Sequence, residues 1–129
     1  MAEFKYQLES ALTLERNLFG FAIHSRPANA AVMVTMLTEE DFVGALHKAA
    51  FRAIRALVLR NELPLDYGGV IAELQRQAVF ESFDHAHSFV CSLGEDVGCG
   101  RTMISRSEQI IRLAQERRRR QALERALQK

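Results

Sequence analysis

The sequence predicts an all-α protein: a compact helical bundle of about five or six helices with a long projecting C-terminal helix. Three observations carry this. Residues 38–59, TEEDFVGALHKAAFRAIRALVL, repeat apolar side chains at helical spacing. No run alternates cleanly with period two, and the chain has no Trp and only 2 Tyr, which leaves little to build strands from. From residue 102 to residue 128 neither Pro nor Gly interrupts the chain. At 129 residues it has the length of one domain, and such a domain buries roughly two-thirds of its unfolded surface without needing a disulfide or a metal.

Residues 1–7 read as a frayed lead-in, and the first helix is expected to start near Glu9 or Ser10 and run to His24. Leu12, Leu14, Leu18, Phe19, Ala22 and Ile23 give it a broad apolar side. Gly20 within it implies the close passage of another backbone. Ser25, Arg26 and Pro27 break the chain, and Pro27 suits the first turn of a short helix over 28–37.

The central helix follows. Thr38 is its expected N-cap, and Glu39, Glu40 and Asp41 place negative charge at the positive end of the dipole. Leu46, Ala50, Ile54 and Leu57 make one stripe, which Val43, Phe51 and Val58 widen. Lys48, Arg52 and Arg55 share the opposite side. So narrow a polar strip predicts a helix surrounded by others, with Leu46, Phe51, Ile54, Leu18 and Leu74 in one core.

Asn61 can end that helix in a left-handed conformation, and Pro64 prevents continuation. Asp66 is the expected N-cap of a helix over 67–77 with Val70, Ile71 and Leu74 inward, its first turn weakened by Gly68 and Gly69. Residues 78–83 read as a connection that holds Val79, Phe80 and Phe83 against the core. A short helix over 84–93 stops at Gly94, and 95–100 is a glycine-containing loop. In the last helix Ile104, Ile111 and Ala114 form a stripe that Ala122, Leu123, Ala126 and Leu127 resume beyond Arg117, Arg118, Arg119 and Arg120. A helix of that length cannot bury itself on so small a domain, so its apolar end calls for a partner. The division expected is a helical head over 1–100 and a basic terminal helix over 101–129.

The net charge of +1 hides an asymmetry: residues 1–100 hold 8 Lys/Arg against 13 Asp/Glu, a balance of −5, and residues 101–129 hold 9 against 3, a balance of +6. An acidic head with a basic tail favours self-association or an acidic partner for the tail. The N-terminal residues lack the apolar core of a signal peptide, no apolar run has membrane-spanning length, and two cysteines without a secretory signal fit a reduced, cytoplasmic setting.

Sites of chemistry are few. His85, His87, Cys91 and Cys99 are potential metal ligands, but the close pairs typical of zinc sites are absent, and His85 and His87 face apart on a helix. Cys91 and His87 do share a face, the plainer reading being a buried thiol beside a partly exposed imidazole. A disulfide between Cys91 and Cys99 is disfavoured by the compartment. No phosphate-binding loop or nucleophile motif occurs, so no cofactor, no metal and no catalysis are expected. Capping accounts for Glu39, Glu40 and Asp41, and packing or surface placement for His24 and His47. The four arginines read either as a solvated stretch paired with Glu116 and Glu124 or as a contact for phosphate or an acidic protein surface. Without aromatic residues in the tail, single-stranded nucleic acid is disfavoured.

Four stretches, LERNLFGFAI (14–23), EEDFVGALHKAAFRAIRAL (39–57), DYGGVIAELQRQ (66–77) and SEQIIRLAQERR (107–118), together resemble the N-terminal domain of replicative DNA helicases of the DnaB family. Glu15, Gly20, Asp41, Phe42, His47, Phe51, Leu57, Asp66, Leu74, Arg76, Gln77, Ile110 and Arg112 fall on matching positions. The chain departs from the family at Asp84-His85, where a Gly-Gly pair is usual, at Cys99-Gly100, and at Arg117 and Arg120, which stand at apolar positions. The resemblance implies an all-α head followed by a helical hairpin, the ATPase motor lying in a separate domain.

It further implies a non-catalytic module for oligomerisation and for docking primase, loader or helicase subunits in DNA replication. A homodimer is expected, with Arg117, Arg118, Arg119, Arg120, Leu123 and Leu127 as candidate partner-binding residues. The alternative from another class is a small DNA-binding or architectural protein that uses the arginine-rich helix. A hydrolase built on the histidines and Cys91 is a remote third.

Overall fold

The computed structural model describes residues 2–93 and 100–128, and among these the regular structure is all helical, without strands. The elements are α1 (Ala2–His24), α2 (Pro27–Met36), a short 3-10 turn (Glu39–Asp41), α3 (Ala45–Leu59), α4 (Tyr67–Arg76), α5 (Phe83–Ser92) and α6 (Gly100–Leu127). α3 packs against α2, α4 and α1, while α6 lies across α1, α2 and the 3-10 turn, and α5 covers α4. The all-α class and the terminal helix are as expected.

Local signals place most boundaries. Pro27 opens α2, where a missing N–H costs nothing. Asn61 takes φ 58°, and the Glu62 N–H returns to the Leu57 carbonyl at 2.9 Å, closing α3 with a left-handed C-terminal cap. Asp66 caps α4 by accepting from the Gly69 N–H. A Cβ on Gly69 would come within 3.1 Å of that carboxylate, so the glycine lets the cap sit close. Ala78 ends α4 in the same left-handed way at φ 57°, with the Val79 N–H on the Leu74 carbonyl, although alanine carries no sequence signal for it.

The core gathers Leu18, Phe19, Phe21, Met33, Phe42, Phe51, Ile54, Leu74, Met103 and Ile110, each 2 % exposed or less. Phe42 stands between Phe19 and Phe51, with ring centroids 5.0 and 5.2 Å away.

Five expectations are corrected. α1 starts at Ala2 instead of Glu9 or Ser10, so the lead-in is part of the helix. The predicted helix over 38–59 divides: Thr38 precedes a 3-10 turn, residues 42–44 are extended or bent, and α3 begins at Ala45. In consequence Leu46 lies on the outside of the first turn of α3, 45 % exposed, instead of in the core. α5 starts at Phe83 with Ser82 as cap, which turns Phe83 outward. In α6 the buried stripe is Met103, Ser107, Ile110 and Ala114, a rotation from the expected one that leaves Ile104 exposed. The expected stop at Gly94 and most of the loop over 95–100 lie outside the described residues.

Candidate interaction site

The break between the 3-10 turn and α3 is where the tertiary structure converges. Glu15 of α1 is 1 % exposed, and its carboxylate accepts the Val43 N–H at 2.8 Å and the Gly44 N–H at 3.3 Å, with His47 Nδ1 2.9 Å away. Those N–H groups are the ones a continuous helix would have turned inward on itself. Paired with a buried carboxylate instead, they fix the chain in an extended bend. His47 also packs against Phe19 at 5.6 Å.

Asp41 holds the other side of the bend. Its Oδ2 accepts the Thr38 N–H at 2.9 Å and faces the Thr38 hydroxyl at 3.3 Å, a capping box for the 3-10 turn. Oδ1 accepts from Arg118 at 3.1 Å, and the Asp41 carbonyl accepts from Arg117 at 2.9 Å. Glu39 binds Arg52 of α3 at 2.7 Å. That hydrogen bond, with the charges of Arg52, Arg55 and Lys48, outweighs burial and holds the Glu39 carboxyl below its ordinary range. Glu40 pairs with Lys48 at 3.6 Å. All three carboxylates thus have structural partners: Asp41 caps the 3-10 turn in place of α3, while Glu39 and Glu40 pair with cations of α3.

The predicted partner-binding residues separate. Arg117 and Arg118 are drawn onto Asp41. Arg119 is exposed, and Arg120 lines a groove with Arg118, Lys48, Leu8, Val43 and Ala114, about 350 Å³ in volume. Leu123 and Leu127 stand clear of the head at 61 % and 78 % exposure. Lys48 and Leu8 had no sequence signal as site residues, since the groove exists only where α1, the bend and α6 meet. A second, more apolar groove of about 420 Å³ runs between Leu12, Leu46, His47 and Phe89, with Arg16 at its edge. Gly44 within the central pattern was the one local sign of the bend that creates it.

At the candidate metal ligands, His87 Nε2 stands 3.6 Å from the Cys91 sulfur, but Cys91 is exposed instead of buried, because α5 turns that face outward. His85 is exposed as well, and Cys99, with any pairing to Cys91, lies outside the described residues. Among the described residues no group of three or more His, Cys, Asp or Glu side chains comes together for a metal. No helix among them is long and apolar enough to cross a membrane.

A helical bundle pinned at a carboxylate-clamped bend, with one long basic helix packed across it, is the class of protein this arrangement defines. The DnaB-like helicase N terminal domain family matches residues 7–97, and the chain belongs to that family. Its fold is similar to the crystal structure of the N-terminal domain of DnaB helicase from Mycobacterium tuberculosis, with a TM-score of 0.71 and 24% identity over 91% of this chain and 83% of that one. Comparison with curated proteins finds no match.

Proposed function

We propose that this chain is a non-catalytic, cytoplasmic module that self-associates and docks a primase, a loader or helicase subunits during DNA replication. Membership of the DnaB-like helicase N terminal domain family supports the setting. The observation that carries self-association is the end of α6, where Leu123 and Leu127 stand 61 % and 78 % exposed. Burying each large side chain gains about 1.5–3 kcal/mol, and the same stripe on a second copy is the simplest cover, closed dimers being the commonest oligomers. Arg119, Arg120 and Arg125 on the same helix disfavour an in-register pair and favour antiparallel or offset packing.

Sedimentation of the full chain beside a Leu123→Asp, Leu127→Asp variant tests this. The wild type should dimerise at micromolar concentration and the variant should lose that dimer. A wild type that stays monomeric at high micromolar concentration, or a variant that sediments as it does, removes the tail from the reading. Two of the four arginines are engaged by Asp41, which weighs against the DNA-binding alternative. Salt-sensitive binding of duplex DNA lost on replacing Arg119 and Arg120 would restore that alternative.

A further inference from the structure

Resting on the docking reading above, we propose that the groove between α1 and α5 receives an amphipathic helix from a different protein. Its apolar side chains enter the groove, and a carboxylate beside them meets Arg16. Leu12 of α1, Phe89 of α5 and Ala45, Leu46 and His47 at the start of α3 line this surface, with a volume of about 420 Å³. That volume falls within the roughly 300–1,000 Å³ of clefts that bind ligands. Leu46 is 45 % exposed there. A concave apolar surface left in water in this way marks a place of contact.

The lining is held by contacts outside the groove. Glu15 fixes His47 at 2.9 Å and the Val43 and Gly44 N–H groups at 2.8 and 3.3 Å. The Phe89 ring packs 5.5 Å from Phe80 and 6.4 Å from His47. A Cβ on Gly44 would stand 3.0 Å from His47 and 3.1 Å from Leu12, so the glycine lets the bend sit close between them. A groove built before its ligand arrives leaves little ordering cost on its own side.

Charge and backbone select the occupant. No carboxylate lines the groove, and His47 is already engaged by Glu15. Arg16 is exposed, with no hydrogen bond or ion pair among the described residues. An apolar face with one acid beside it therefore completes the site, the acid fixing orientation and register. A helix supplies that pattern through side chains three and four positions apart. An extended peptide would need a sheet edge for its backbone, and the described residues form no strand. Duplex DNA is a poor fit, because its phosphates gain nothing from apolar walls and meet a single free cation. The end of α6 from a second copy is also a poor fit, since Leu123 and Leu127 come with Arg119, Arg120 and Arg125, which Arg16 repels.

The test is selection of displayed random peptides, long enough for about three helical turns, on the full-length chain. Selected peptides should share apolar residues three or four positions apart with an Asp or Glu on the same face, and should become helical on binding. A synthetic copy of the tightest one should bind about tenfold or more weakly to Leu46→Glu and to Arg16→Glu. Replacing its acid by Lys should restore binding to Arg16→Glu, a rescue that a merely structural effect would not give. Both positions are exposed, and circular dichroism of each variant should match the wild type. An empty selection, selected peptides without an acid, or binding that the variants leave unchanged would overturn the proposal. Self-association lost in Leu46→Glu would do so as well, by making the groove a contact between copies. The docking reading fails separately: purified primase, loader and helicase that all ignore the chain remove it while peptide binding stands. Binding of one of them that Leu46→Glu and Arg16→Glu leave intact removes the groove while that reading stands.

Discussion

Arg117 donates to the backbone carbonyl of Asp41 at 2.9 Å, across 76 positions of sequence, and so ties the terminal helix to the turn that precedes the central one. Arg118 takes the carboxylate of the same residue. Asp41 thereby serves as a cap for its own turn and as an anchor for α6. Asp41→Ala should cost about 1–2 kcal/mol, the range for loss of a capping carboxylate, measured by urea denaturation. Arg118→Ala should cost under about 1 kcal/mol, because a half-exposed ion pair contributes little. Equal losses would mean that the capping role has been overstated.

Glu15 is the more costly contact to remove. Its carboxylate satisfies two backbone N–H groups and faces His47, and Glu15→Ala leaves those part-buried donors without this acceptor. A loss of about 2–4 kcal/mol is expected from unmade hydrogen bonds to a buried carboxylate. Amide exchange at Val43 and Gly44 should accelerate more than exchange in α4. Uniform acceleration would make Glu15 a general packing residue instead of a clamp on the bend.

The division of the central element has its own contrast. Phe51 is fully buried and Leu46 is not. Phe51→Ala should lower stability by about 3–5 kcal/mol, and Leu46→Ala by about 0.5 kcal/mol or less. A large loss at Leu46 would indicate an unbroken helix that carries this side chain inward.

Ala78 should be improvable. It holds φ 57°, a conformation that disfavours any residue with a Cβ. Ala78→Gly is expected to raise stability by about 0.5–1 kcal/mol, seen as a higher melting temperature. A lower one would mean that the methyl group is packed.

Acid should destabilise the fold through Glu73 and Glu39. Glu73 is buried and accepts from Arg60 at 2.7 Å and from Gln77 at 3.0 Å, and these bonds hold its carboxyl below the ordinary value near 4.5, as Arg52 does for Glu39. A carboxylate with a lowered folded pKa contributes stability that is complete above its unfolded value and disappears as pH falls through the folded one. The melting temperature should therefore be steady down to about pH 5 and then decline. Glu73→Gln should begin lower and decline less steeply. A parallel acid limb in that variant would assign the acid sensitivity elsewhere.

Sequence alone determined what depends on a few neighbouring residues. Pro27, Asn61 and Asp66 set helix ends through fixed torsions and short hydrogen bonds, and helical periodicity defined the all-α class and most of the core. The exposed apolar end of α6 was legible for the same reason, since a helix can be too long for its domain whatever its neighbours are. Tertiary structure decided where two partners compete for one group. The N–H groups of Val43 and Gly44 could have entered the central helix, and capping signals at Thr38 and Asp41 favoured that. A carboxylate 28 residues earlier captures Val43 instead, and the bend turns Leu46 to the surface. The rotation of α6 that buries Met103 instead of Ile104, and the groove that assembles Leu8, Lys48 and Arg120, follow from packing between distant segments. Periodicity reports that a helix has an apolar side, but the surface it meets selects which residues face it.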